Sequence, residues 1–359
     1  MTTSLSGSIS ILFLYDVCDE IRLDQLRTLL GATTVEQRMK HAAAEQIYFQ
    51  RPPVVEPFEP LILGNGERLN VQLKYYDYGV VSVAFELPFA GEWQQLIELS
   101  SQWMSGTEFE QHASRIARQK VERALPAFLK PYPKWLNEDY FVFKLKEIAS
   151  APSSEELLSS FGEQIAQIVR GEAGLLSQDE LREVLQSAIS YYRNDLAVIG
   201  WNAAFIYDSV AEAETALQLL EYANSQLLEF RHYDELLSRE LATFYRSLGH
   251  NDSLIARWRT SREALRLQGV LLEVTELTER VDNAIKFLSD MFSARLYRLA
   301  ATKIGVPDYR NLVLQKLKTA EDLYRFLIEQ FHQTRAFVLE LMVVIILVIE
   351  LVYVFRGKG

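Results

Sequence analysis

Residues 69–87 read LNVQLKYYDYGVVSVAFEL. Two β-rich runs, Leu69 to Tyr76 and Val80 to Leu87, flank Asp77-Tyr78-Gly79, and a glycine there suits a turn position with positive φ. The stretch therefore reads as a β-hairpin. Upstream, Ile9 to Asp16 (ISILFLYD) is a mostly apolar run, followed by the helical spacing of Ile21, Leu26, Leu29 and Leu30 that ends at Gly31. Residues 51–60, RPPVVEPFEP, hold four prolines and predict an extended surface connection rather than a regular element. Downstream, Trp93 to Met104 and Glu108 to Leu125 predict two helices, the second stopped at Pro126. Tyr140, Val142 and Lys144 then alternate against Phe141, Phe143 and Leu145 in a strand. The order strand, helix, strand, strand, helix, strand predicts an α+β head over residues 1–150, with the topology of a ferredoxin-like sandwich.

A linker, SAPSS at 150–154, introduces a mixed α/β segment over residues 151–209 that packs on the head; its last serines can cap the next helix. Helices are expected at Glu155 to Val169 and Gln178 to Tyr191. Leu196 to Tyr207 reads as a buried strand or a hairpin turning near Trp201-Asn202. Beyond Asp208 the β signal ends. Leu220, Ala223, Leu227, Phe230, Leu237, Leu241, Phe244 and Leu248 follow steps of three and four, broken where Asp234 takes a seam position, and Val270 to Met291 repeats the pattern. Residues 210–335 thus predict a long-helix, coiled-coil-like stalk, either as a hairpin across Gly249 to Asp252 or between chains, with an ordinary helical-bundle core as the alternative. Pro307 suits the first turn of a further helix that meets no Pro or Gly until Gly357.

Residues 336–355, AFVLELMVVIILVIELVYVF, carry two charged side chains, Glu340 and Glu350, in twenty positions. At about 1.5 Å per residue such a helix is about 30 Å long, which matches a bilayer core. The expectation is one C-terminal transmembrane helix ended by Arg356 and Lys358. A tail-anchored protein of this kind keeps its body in the cytoplasm, on a bacterial inner membrane or its organelle equivalent. Glu340 and Glu350 then either snorkel, mediate self-association or line an ion path.

Composition narrows the chemistry. A formal charge of −11 argues against a nucleic-acid-binding surface. The lone Cys18 cannot form an intramolecular disulfide and reads as a buried thiol. The N-terminus has neither a signal-peptide nor a transit-peptide pattern. There is no phosphate-loop motif and no G-x-S-x-G elbow, and His41, His112, His232, His250 and His332 are scattered without metal-ligand spacing. No cofactor, metal or catalytic residue is therefore assigned. Asp16, Asp19 and Glu20 could bind a hard cation, though such a cluster more often caps the following helix. Arg259, Arg262 and Arg266 share a helical face suited to an acidic partner, anionic lipid or RNA, or simply to solvent.

Two stretches carry a resemblance to a known family. Tyr76 to Phe85, YDYGVVSVAF, resembles the aromatic-Asp-Tyr-Gly-Val-Val strand of the family named "required for meiotic nuclear division". Leu339-Glu340, the run VVIILVI and Glu350-Leu351 resemble its C-terminal isoleucine-rich run between two glutamates, with Leu341 standing where that family has Trp. The resemblance implies a membrane-anchored, oligomeric scaffold without established catalysis. Together these readings lead to a non-enzymatic scaffold that self-associates and recruits an unknown protein partner to the surface of a lipid bilayer. The alternative is an oligomeric cation channel or transporter component using the two glutamates.

Overall fold

The structure, a computed structural model, describes residues 4–31, 47–49, 51–63, 66–149, 151–248, 268–272, 274–276, 278–279, 285–287 and 291–356. It divides into two units, Met1–His232 with Leu277–Arg310, and Tyr233–Glu276 with Asn311–Gly359.

The first unit is built on an eight-stranded mixed sheet. Its strands are β1 (Leu5–Ile21), β3 (Val54–Ile62), β4 (Arg68–Tyr75), β5 (Val80–Gly91), β6 (Phe128–Ile148), β7 (Ala188–Ile189), β8 (Leu196–Ile199) and β9 (Ala203–Tyr207). They lie in the order β3-β4-β5-β1-β6-β9-β8-β7. All neighbours are antiparallel except β6 and β9, which run parallel. A separate ladder pairs β2 (Ile47–Phe49) with β10 (Ile285–Phe287).

This sheet corrects the ferredoxin-like expectation. Two features were not anticipated. The proline-bearing segment forms β3, and β7 to β9 extend the same sheet from the far side of β6. β3 tolerates Pro57 and Pro60 because it is an edge strand, where a missing N–H leaves no ladder bond unmade, and its register slips between Phe58 and Leu61. The hairpin at Gly79 forms as the sequence predicts: Gly79 adopts φ +100, Tyr76 N–H donates to Val80 O at 2.9 Å, and Gly79 N–H donates to Tyr76 O. The glycine is required twice over, since a Cβ there would stand 1.8 Å from the Cys18 carbonyl oxygen.

Alternation on the strands separates the two faces. Ile9, Ile11, Phe13, Val83, Phe85, Phe141, Phe143 and Phe205 point into one apolar core. It is covered by α1 (Leu23–Leu30), α2 (Trp93–Ser105), α3 (Glu108–Ala124) and α4 (Ser154–Arg170), with Val184 of α5 (Gln178–Leu185) at its margin. Trp93 stacks on Phe161 at 4.9 Å and on Phe205 at 5.9 Å, joining α2 and α4 to the sheet. Burying each such side chain is worth roughly 1.5–3 kcal/mol. Ser153 caps α4 by accepting from Glu156 N–H, and Glu156 returns the bond to Ser153 N–H, a reciprocal capping box.

The other face of the sheet carries α6 (Val210–Leu248) as far as His232, and α7 (Met291–Ile304). Between 219 and 230 every residue of α6 is buried, so this part of the predicted stalk belongs to the sheet's own packing. The predicted second seam, Val270 to Met291, is interrupted: Ile285–Phe287 is a strand, and Gly249 to Asp252 lie outside the described residues.

In the second unit, Leu241 of α6 packs against Ala320 of α8 (Val306–Arg356), with Leu271, Leu323 and Tyr324 around them. Lys316 Nζ sits 2.5 Å from Asp234 Oδ1, which gives the seam-breaking aspartate its partner. The unbroken helix expected after Pro307 is present as the 51 residues of α8.

The transmembrane expectation does not stand. Among the described residues no helix is long and apolar enough to cross a membrane. Glu340 and Glu350 bracket nine residues, about 14 Å at 1.5 Å per residue, or about half of a 30 Å hydrocarbon core. Tail anchoring and a single-pass membrane location therefore have no support in the fold.

Candidate functional site

The register of the sheet places a polar set on the face beneath α6. Ser10 is directly opposite Glu86 on β5 and Val142 on β6, Ser8 is opposite Lys144, and Ser82 is opposite both Leu14 and Lys74. α6 meets this face with Glu214, Glu221, Ser225 and His232, a stripe at steps of seven, four and seven that keeps one side of a helix.

Two links along this seam are ion pairs, and a third joins a histidine to a carboxyl group. Lys144 Nζ donates to Glu86 Oε1 at 2.9 Å and lies 3.5 Å from Glu214 Oε2, while Ser8 Oγ also donates to Glu86 Oε1. Lys74 Nζ donates to Glu221 Oε2 at 2.5 Å. At the far end His232 Nδ1 lies 2.7 Å from Asp16 Oδ2. A neutral link, Tyr78 OH with Ser225 Oγ at 2.7 Å, sits between the last two.

Burial sets the electrostatics. It pushes the Lys74 ammonium toward its neutral form, but the Glu221, Glu214 and Glu86 carboxylates outweigh it and hold its proton more tightly than usual. Burial likewise works against the Glu86 carboxylate, and Lys144, Ser8 and Lys74 more than offset it, leaving Glu86 below the usual range. Asp16 goes the other way: burial, reinforced by Asp19, lifts its carboxyl well above the usual range. Ser10 Oγ, Ser82 Oγ and Glu221 Oε1 are buried and make no hydrogen bond among the described residues. A seam of this kind adds little net stability, because the cost of desolvating charges cancels much of their attraction. What it does supply is register, since sliding α6 would strand several buried charges at once.

The acidic cluster at the end of β1 does not cap a helix. β1 continues to Ile21, and Arg22 at the start of α1 makes no side-chain cap. Asp16 faces His232 instead, Asp19 Oδ1 accepts from Tyr132 OH at 2.6 Å and Asp19 Oδ2 lies 2.7 Å from Lys130, and Glu20 reaches Arg51 at 4.0 Å. Among the described residues no group of three His, Cys, Asp or Glu side chains is placed to hold a metal ion.

The remaining residues picked from the sequence fall elsewhere. Glu340, Glu350 and Arg356 are exposed on α8. Between the two glutamates Met342 to Ile349 are exposed, and Leu351 and Val352 follow, each 49–59% accessible. Lys358, Arg259, Arg262 and Arg266 lie outside the described residues. Sequence reading missed Lys74, Glu86, Lys144, Glu214, Glu221 and His232. The one available signal was Lys144 standing in line with Tyr140 and Val142 on an otherwise apolar strand.

Comparison with known families matches residues 6–214 to the domain described as "Uncharacterized protein MJ0711, N-terminal domain". The match takes in the eight-stranded sheet apart from Leu5, the first residue of β1, and ends at Glu214, in the first turns of α6. Uncharacterized protein MJ0711 of Methanocaldococcus jannaschii is 20% identical over 188 residues, 52% of this chain and 58% of the relative. The chain therefore spans less than two thirds of that relative's length. No solved structure matches. Nothing in these matches indicates the meiotic nuclear division family: of the two stretches that resembled it, 76–85 falls inside the matched domain and 339–351 lies beyond it.

Proposed function

For a chain that belongs to the family of the uncharacterized protein MJ0711 N-terminal domain, we propose a non-enzymatic scaffold that self-associates through the end of α8 and holds a protein partner on its sheet-bearing unit. The observation that carries this reading is the exposed run of Met342 to Ile349, Leu351 and Val352. Ten large aliphatic side chains in eleven consecutive positions form a contiguous apolar surface of the kind that marks an interaction site rather than ordinary exposure. A second copy of the same helix is the occupant that fits, because both apolar surfaces then leave water together. The charge of −11 speaks against nucleic acid as the partner. The channel alternative has no observation in its favour, since it needs a spanning helix.

Site-directed oxidation tests the proposal. In a Cys18→Ser background, Val348→Cys is expected to form a disulfide-linked dimer under mild oxidant, whereas Leu175→Cys, the more exposed position at 84%, is expected to stay monomeric. Equal inertness of the two cysteines would overturn the proposal. So would full-length chain that floats with phosphatidylglycerol vesicles and yields no dimer.

A further inference from the structure

We propose that the Asp16–His232 pair is a proton-binding site that latches the far end of the α6 seam to the sheet, so that α6 is held when the pair carries a proton and loosens when it is lost. The pair joins β1 to α6. Asp16 is 1% exposed, and its Oδ1 accepts no hydrogen bond among the described residues. His232 stands at the edge, 19% exposed, where protons can reach it. His232 is also the last residue of the first unit before the chain enters the second.

The surroundings fix the sign. From β1 the pair is faced by Asp19 and the Cys18 thiol, from β6 by Tyr132 and Lys130, and from α6 by Glu229. The Tyr132 ring lies against the imidazole at 4.5 Å and 16°. Asp16, Glu229 and Asp19 act together on Tyr132, and they act together on Cys18, so the three carboxylates share one neighbourhood. Lys130 is engaged with Asp19. Nearby, Arg231 pairs with Glu138 across the same α6–β6 contact, and Arg51 lies between Asp77 and Glu20. With one proton on the pair, either an imidazolium faces a carboxylate or a neutral carboxyl faces a neutral ring, and no buried charge goes uncompensated. Remove it, and a buried carboxylate faces a neutral ring among two further carboxylates. Burial makes that state expensive, and the cost falls on the packing of α6 around His232 against β1. Two interacting groups titrate as a pair, so the transition belongs to both residues jointly.

The test is amide hydrogen exchange in the full chain between pH 5 and pH 9, corrected for intrinsic exchange, read over residues 226–236. The expected result is protection that falls tenfold or more with rising pH. In Asp16→Asn, which carries the protonated shape at every pH, protection should vary less than twofold. Glu138→Gln, which leaves the pair intact, should keep the parent's dependence. A parent whose protection does not change with pH, or an Asp16→Asn variant that keeps the full dependence, would overturn the latch.

Discussion

Lys74 and Glu221 meet at 2.5 Å with side chains 4% and 0% exposed, one from β4, the strand beside the β3 edge, and the other from a helix 147 residues later. An ion pair this deeply buried constrains more than it stabilises. Lys74→Met leaves Glu221 charged and alone, and is expected to cost about 3–5 kcal/mol by urea unfolding. The double variant Lys74→Met/Glu221→Leu should recover most of that loss. If the double variant is as unstable as the single one, the pair supplies stability rather than register.

Gly79 offers a contrast between two glycines with similar backbones. Gly79 has φ +100 and no room for a Cβ, while Gly66 has φ +85 and nothing within 4 Å of one. Gly66→Ala should cost about 1 kcal/mol from the backbone conformation alone. Gly79→Ala should cost several kcal/mol more, because the β4–β5 turn must leave β1. Thermal midpoints of the two variants decide this directly.

Much of this was legible in the sequence for a definite reason. The alternation of Phe141, Phe143 and Leu145 against Tyr140, Val142 and Lys144 assigns both faces of β6 correctly, because strand periodicity is local. The same holds for the turn at Gly79 and the cap at Ser153. What local patterns could not reveal is how far the sheet continues, since β9 joins β6 in parallel some sixty residues on. The α6 stripe was hidden for the opposite reason: the periodic apolar residues drew attention to one face of the helix, while the face that meets the sheet is Glu214, Glu221, Ser225 and His232. A charged stripe on a long helix reads as solvent-facing until its partners, Lys144, Lys74, Tyr78 and Asp16, are seen in place.

Acid should weaken the seam through Glu86. Its folded value lies below its unfolded one, so its contribution is present above about pH 4.3 and is lost as pH falls through the lower folded value. Glu86→Gln removes that part of the acid sensitivity. Urea midpoints at pH 3 and pH 6 should therefore lie closer together in the variant than in the parent.

Asp208, just before α6, has the opposite sign. Burial raises its carboxyl to about 6, with Asp195 and Glu212 adding to the rise against the Ser209 N–H. Its favourable contribution is complete below about pH 3.9 and is lost as pH rises through about 6. Asp208→Asn should therefore stabilise the chain at pH 7.5 relative to the parent and leave the two indistinguishable near pH 3.5, as read from urea midpoints.

The most direct test of the scaffold reading is sedimentation equilibrium of the intact chain over a concentration series, beside Ile345→Glu/Ile349→Glu. Self-association through α8 predicts a mass above one chain that grows with concentration and collapses to the single-chain value in the double variant. A parent that holds the single-chain mass throughout, or a double variant that assembles as the parent does, would contradict it.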